Sequence, residues 1–192
     1  MNKTDLISTA VTEHLKEGDL LFIAIDSFLY RQVAQGTGSW CSHVGVAIQQ
    51  HGRWYVAESA IPKVRITPLD KFIARAKSGR IAVHRFNKGI SDTQLSALKQ
   101  AVQSHLGKWY HLGFNYDDKR MFCSKFTALV LESALGIKLG EVETLEQLIT
   151  KNPQANVGFW RCWYLGFIPW KRRTITPESL LKDPRLLPIF NH

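Results

Sequence analysis

The stretch SHVGVAIQQHGRWYVAESA, residues 42–60, constrains this chain more than any other. Val44, Val46 and Ile48 alternate with other positions, the period of a strand that shows one face to a core. The residues after Arg53 alternate as well, and QHGR between the two runs suits a tight reversal. If His51-Gly52 is a two-residue turn, Gln50 faces Arg53 and the numbers of paired residues add to 103. Gly45 then lies opposite Glu58, and His43 opposite Ala60. His43 and Glu58 become diagonal neighbours on one sheet face, with α-carbons about 7–8 Å apart, within reach for long side chains. A three-residue turn would shift the register by one and send Glu58 to the other face.

Other segments give coarser signals. Residues 4–16 carry Leu6, Ile7, Ala10, Val11 and Leu15 at helical spacing, and LLFIAI after Gly18-Asp19 reads as a buried strand. SFLYRQVAQGTGSWCS reads as a loop or short helix, and GRIAVHRF as a third strand. Ser91 with Gln94, and Thr144 with Gln147, have the spacing of a capping box at a helix start. Thr176-Pro177 suits a helix cap followed by proline at the first helical position. RMFCSKFTALVLESALG predicts a helix from about 123 to 135 that ends at Gly136. The order of elements predicts an α+β fold with an antiparallel sheet. Residues 1–192 are expected to form a single domain, with 155–192 as an aromatic-basic C-terminal extension packed on it.

A cysteine that opens an apolar helix has two readings. Cys123 is a small core residue, or a nucleophile whose thiolate is favoured by the helix N-terminus and a nearby histidine. Of the seven histidines, His43 has the best context, since Ser42, Gly45 and Ala47 leave room beside it. Glu58 is then the group that orients its ring. Both could reach a helix N-terminus laid against their face. A lone strand histidine that is simply a satisfied core residue stays open beside this. A metal site from Cys41, His43 and Cys123 lacks the paired close spacing of structural zinc sites.

The net charge of +9 favours anionic partners. Nucleic acid is not expected, because no paired CxxC, RNP motif or basic heptad region is present. The stretch Phe159, Trp160, Trp163, Tyr164, Phe167, Trp170, Lys171, Arg172, Arg173 suits either a lipid interface or an apolar layer packed over the sheet. An anionic membrane surface is therefore one expected partner. Three cysteines are too few for a disulfide framework. No signal-peptide apolar region and no run of about 20 apolar residues is seen. The expectation is a cytoplasmic protein with reduced thiols, free to associate peripherally with membrane.

GDLLF, SHVGVAI, VAES and FCSKF, in that order, resemble the circularly permuted branch of the NlpC-type papain-like hydrolases, the YebB/YiiX type. KWYHLGF, IPWKRR and TPESL extend the likeness, nearest the YebB side, over most of the chain. The resemblance implies a permuted papain-like fold, an antiparallel sheet or half-barrel packed on helices. It implies a cysteine hydrolase with Cys123 as nucleophile, His43 as base and Glu58 as orienting residue, and no cofactor. Tyr110, Ser124 and Lys125 are the substrate-binding positions it suggests. Two departures flank the site: the wider family tends to carry Cys-Ser-Glu where this chain has Cys123-Ser124-Lys125, and Tyr-Asp where it has Tyr110-His111. His111 is expected to be a surface residue or a further substrate ligand. The substrate expected is a small-molecule, peptide or lipid acyl compound, with an amide, ester or thioester bond. The alternatives are a lipid-directed acyltransferase or thioesterase, or a membrane-surface module without turnover.

Overall fold

The computed structural model describes residues 3–192. The chain runs α1 (Lys3–His14), β1 (Leu20–Ile25), α2 (Phe28–Gly36), β2 (His43–Gln50), β3 (Arg53–Ala60), β4 (Lys63–Pro68), α3 (Leu69–Ile73) and β5 (Ala76–Phe86). It continues with α4 (Asp92–His105), α5 (Cys123–Leu135), β6 (Val142–Thr144), α6 (Leu145–Lys151), α7 (Val157–Trp163), β7 (Arg173–Ile175), α8 (Pro177–Leu181) and β8 (Leu186–Asn191). One 6-stranded sheet has the order β4-β3-β2-β1-β5-β8, antiparallel throughout, while β6 and β7 pair apart from it.

The central strand β1 is apolar throughout because both of its faces are covered. Leu20 and Phe22 join a core built with α5, whereas Leu21 and Ile23 join a second core built with α1 and α3. The first hairpin has the anticipated turn. His51 and Gly52 both take positive φ, 49° and 74°, and pairing runs from Gln50–Arg53 to Val46–Ala57. Two successive positive φ values suit the right-handed twist of the strands they join. A second tight hairpin follows, in which Ala60 pairs with Lys63 and Glu58 with Arg65.

The helix over 123–135 has the bounds its sequence predicts, with Gly136 in the left-handed region at φ 69° as C-cap. Ser91/Gln94 and Thr144/Gln147 close reciprocal capping boxes, and Thr176 caps α8 with Pro177 in its first turn. The ambiguous SFLYRQVAQ segment is helical, as α2.

Residues 155–192 correct an expectation, because they do not lie as an extension on a finished domain. β8 is the outer strand of the main sheet against β5, β7 pairs with β6, and Ile175, Leu180 and Leu186 sit in the core that holds α5. The strand signal of β8 is weak because Pro188 interrupts it. Proline removes a ladder donor and is tolerated only at a sheet edge, the position β8 takes.

Candidate active site

His43 opens β2 and pairs with Ile23 of β1. Alternation sends Val44 and Val46 into the core that holds α5, while Ala47 joins the core of α1 and α3. The His43 ring is on that second side, 5.8 Å from Phe72 of α3 and 5.8 Å, edge-on, from Tyr30 of α2, measured between ring centroids. The helix that carries Cys123 thus packs against the opposite face from His43 and Glu58, and the expectation of a shared face is corrected. The thiol and the imidazole meet instead at a strand end, because Cys123 is the first residue of its helix and His43 the first of its strand.

The two-residue turn places Glu58 as the register requires. His43 Nε2 lies 2.5 Å from Glu58 Oε2, and both side chains are fully buried. Gly45 sits between them in the register. A Cβ there would come within 2.4 Å of Val56 Cγ1 and 3.0 Å of the Ala57 carbonyl oxygen, so only glycine allows β3 to lie this close. Both Glu58 oxygens are filled. Oε1 accepts from the Thr67 hydroxyl at 2.6 Å and from Arg65 Nε at 3.3 Å, and Oε2 accepts from an Arg75 guanidinium N–H at 2.7 Å. Burial raises the Glu58 carboxyl, but the bonds from His43 and Arg75 outweigh it and hold the group well below the usual carboxylate range.

With Nε2 engaged by Glu58, His43 Nδ1 is buried without a hydrogen-bond partner, which leaves it as the nitrogen available to the neighbouring Cys123 thiol. Burial works against charge on either partner. Even so, the imidazole and the Ser124 and Val44 N–H groups hold Cys123 below an ordinary thiol, and Cys123 and Glu58 hold His43 above an ordinary imidazole. These directions favour a thiolate beside an imidazolium over the neutral pair.

Tyr110 is buried near the thiol, and burial first, then the charge of Cys123, push its phenol well above the usual value. Tyr30 is pushed up for the same reasons, burial first and Cys123 next. Both therefore stay neutral O–H donors. Ser124 ties α5 down, its hydroxyl donating to the Ile175 carbonyl at 2.7 Å.

Lys125 does not join this group. Its ammonium donates to the carbonyls of Asp118 and Arg120, at 3.1 Å for the latter, and lies 5.8 Å from the Tyr116 ring centroid. Two residues along a helix turn the side chain through about 200°, so a lysine two positions after the thiol faces away from it. His111 is neither exposed nor in the site. It is buried, its Nδ1 accepts from the Gly113 N–H at 2.9 Å, and its Nε2 lies 3.2 Å from Asp118. Cys41 is a core residue whose thiol burial pushes up to about 12, and Cys162 is exposed on α7.

The residues missed from sequence are Tyr30, Thr67, Arg65 and Arg75. Arg65 and Thr67 had a signal: a two-residue turn at Ile61-Pro62 puts Arg65 directly opposite Glu58. Tyr30 comes from α2 and Arg75 from the turn after α3, and nothing local marks them.

A narrow cavity of about 640 Å³, counted with its open mouth, ends on Cys123. Val33, Phe114, Leu148, Trp160, Ile168 and Ile175 are among the side chains that line it, and its walls are carbon almost throughout.

A Cys–His–carboxylate arrangement at a helix N-terminus beside an antiparallel sheet is that of papain-like hydrolases. Here the His and Glu strands precede the Cys helix, so the fold and site define a permuted papain-like protein. The chain belongs to the permuted papain-like amidase family of YaeF and YiiX, C92, whose profile matches residues 14–190. It is 30% identical over 169 residues to the uncharacterised protein YiiX of Escherichia coli K12, covering 88% of this chain and 83% of YiiX. The crystal structure of metalloprotein yiiX from E. coli O157:H7 superposes with a TM-score of 0.86 at 28% identity, over 93% of this chain and 98% of that one.

Proposed function

We propose that the protein is a cysteine acyl hydrolase that forms an acyl-enzyme on Cys123 and holds the acyl chain of its substrate in the apolar cavity. The observation that carries this is the buried, interacting pair of Cys123 and His43, whose imidazole is held by Glu58 through Nε2 and keeps Nδ1 free of any other partner. Cys123 Sγ attacks the carbonyl carbon of an amide, ester or thioester. The oxyanion is met by backbone N–H groups at the start of α5, together with the Tyr110 hydroxyl. The leaving group takes the proton from His43, water then enters with His43 as base, and the acid departs. Glu58 keeps the ring oriented and favours its charged form. An almost wholly apolar cavity ending on the thiol favours a substrate with a hydrocarbon acyl chain over a polar cell-wall peptide.

The relative YiiX is described as a metalloprotein. In this chain, no group of three His, Cys, Asp or Glu side chains is close enough to hold a metal ion among the described residues, and both Glu58 oxygens already carry two donors each. The residues present do not fit a metal at this site.

A thiol-directed electrophile at pH near 6 tests the assignment. The parent, Cys41→Ser and Cys162→Ser are expected to label, and Cys123→Ser is not. Equal labelling of all four would remove the nucleophile.

A further inference from the structure

The turn after α7 presents an apolar tip that the chemistry at Cys123 does not use. Leu165 is 96% exposed and Phe167 75% exposed. The turn is well tied: Leu165 N–H donates to the Cys162 carbonyl at 3.1 Å, Gly166 N–H to Arg161 at 2.7 Å, and Phe167 N–H to Tyr164 at 3.3 Å. Leu165 also takes φ 55°, a backbone region that leucine rarely adopts. The backbone strain costs stability, and a side chain left almost wholly in water gains nothing from burial to offset it.

The tip is not isolated. Phe28 packs edge-on against Phe159 of α7, and Leu112, whose carbonyl accepts the Trp163 indole N–H, lies beside it; both Phe28 and Leu112 are exposed. Half-buried Trp163 and Trp170 flank the tip, the amphipathic rings that suit a membrane–water interface. From Gln147 to Pro177 the chain has no Asp or Glu, yet it carries Lys151, Arg161, Lys171, Arg172 and Arg173. Arg161 and Lys171 are exposed and form no ion pair among the described residues.

We propose that this surface docks the protein on a bilayer bearing anionic headgroups, with Leu165 and Phe167 entering the interface and Arg161 and Lys171 meeting phosphate groups. A protruding apolar tip with two unpaired cations near it in the chain fits a soft, negatively charged surface. Trp160, Tyr164 and Ile168, on either side of the tip, line the cavity. Docking would thus bring the cavity to the source of an acyl chain.

Co-sedimentation with vesicles of phosphatidylcholine alone, and of phosphatidylcholine with phosphatidylglycerol, tests this. The parent is expected to bind the anionic vesicles, less so as salt rises, with a blue shift of tryptophan emission. Leu165→Ser with Phe167→Ser should weaken partitioning by at least about tenfold. Arg161→Glu with Lys171→Glu should weaken binding to anionic vesicles by at least about tenfold and leave neutral vesicles unchanged. Thermal unfolding midpoints should stay near that of the parent, because all four side chains are exposed. Cys123→Ala should bind like the parent, which keeps docking separate from the proposed chemistry. Absent binding to both vesicles would overturn the proposal, as would double variants that bind like the parent. So would self-association of the parent that Leu165→Ser with Phe167→Ser abolishes, since a second copy would then be what covers the tip.

Discussion

On one side of the Cys123 thiol, a fully buried carboxylate takes donors from a histidine, a threonine and two arginines, and its imidazole partner has one nitrogen left for the sulfur. On the other side, α6, α7 and β7 offer little but carbon to a cavity. The polar side is built from two tight hairpins, where register forces side chains together. The apolar side is built from short elements joined by irregular chain. A satisfied polar network tolerates almost no displacement, since each lost partner leaves a buried charge exposed to a low dielectric. An apolar wall can change shape at modest cost. Under the proposed function, reactivity would lie with the hairpins and substrate selection with the C-terminal third.

The strongest way to break that division is to remove the thiol. Cys123→Ser and His43→Ala are each expected to lower kcat on an acyl substrate by about 10⁴-fold or more. Turnover within tenfold of the parent would end the argument for the polar side.

Glu58→Gln comes next, with kcat expected to fall roughly 10²- to 10⁴-fold. Its pH profile is the sharper readout. The ion pair that the proposed mechanism uses would persist above the lowered Cys123 value and below the raised His43 value. Activity should therefore rise through a limb below the ordinary thiol pKa of about 8.5 and fall through one above the ordinary imidazole pKa of about 6.5. Removing the Glu58 charge takes away one group that raises His43, so the alkaline limb should move to lower pH. An unmoved limb in Glu58→Gln would show that Glu58 only fills space.

The apolar side should respond to chain length instead. In the parent, kcat/KM is expected to climb about fourfold per added methylene of a linear acyl chain until the cavity is full. Ile149 of α6 also lines the cavity, and Ile149→Trp should cut that climb short and leave short-chain substrates nearly unchanged. A flat dependence on chain length would remove the cavity from the mechanism.

The smallest effect on chemistry is expected at Lys125. Lys125→Met should keep kcat within about twofold and lower stability by roughly 1–3 kcal/mol, because its bonds to the Asp118 and Arg120 carbonyls are lost. Thermal unfolding beside steady-state kinetics separates the two.

Much of the polar side was legible in the sequence. The alternation and the His51-Gly52 turn gave the diagonal of His43 and Glu58, and helical period with Gly136 gave the bounds of α5. Lys125 could also have been read, since helix geometry turns it away from a thiol two residues earlier. The face against which α5 packs was not legible. Both faces of β2 are buried, and alternation alone does not say which one a distant helix covers. The role of residues 155–192 was hidden for a related reason: Pro188 blurs β8, and a sheet edge is completed only by a strand far away in sequence.

By itself the sequence determined what is local: strand period, turn length, helix caps, and therefore which residues the first hairpin brings together. Only the tertiary structure decided that thiol and imidazole meet at a strand end, that Arg65, Thr67 and Arg75 hold the carboxylate, and that an apolar cavity ends on the sulfur. Those features arise from contacts between distant segments, where burial and packing choose among arrangements that local periodicity leaves equal.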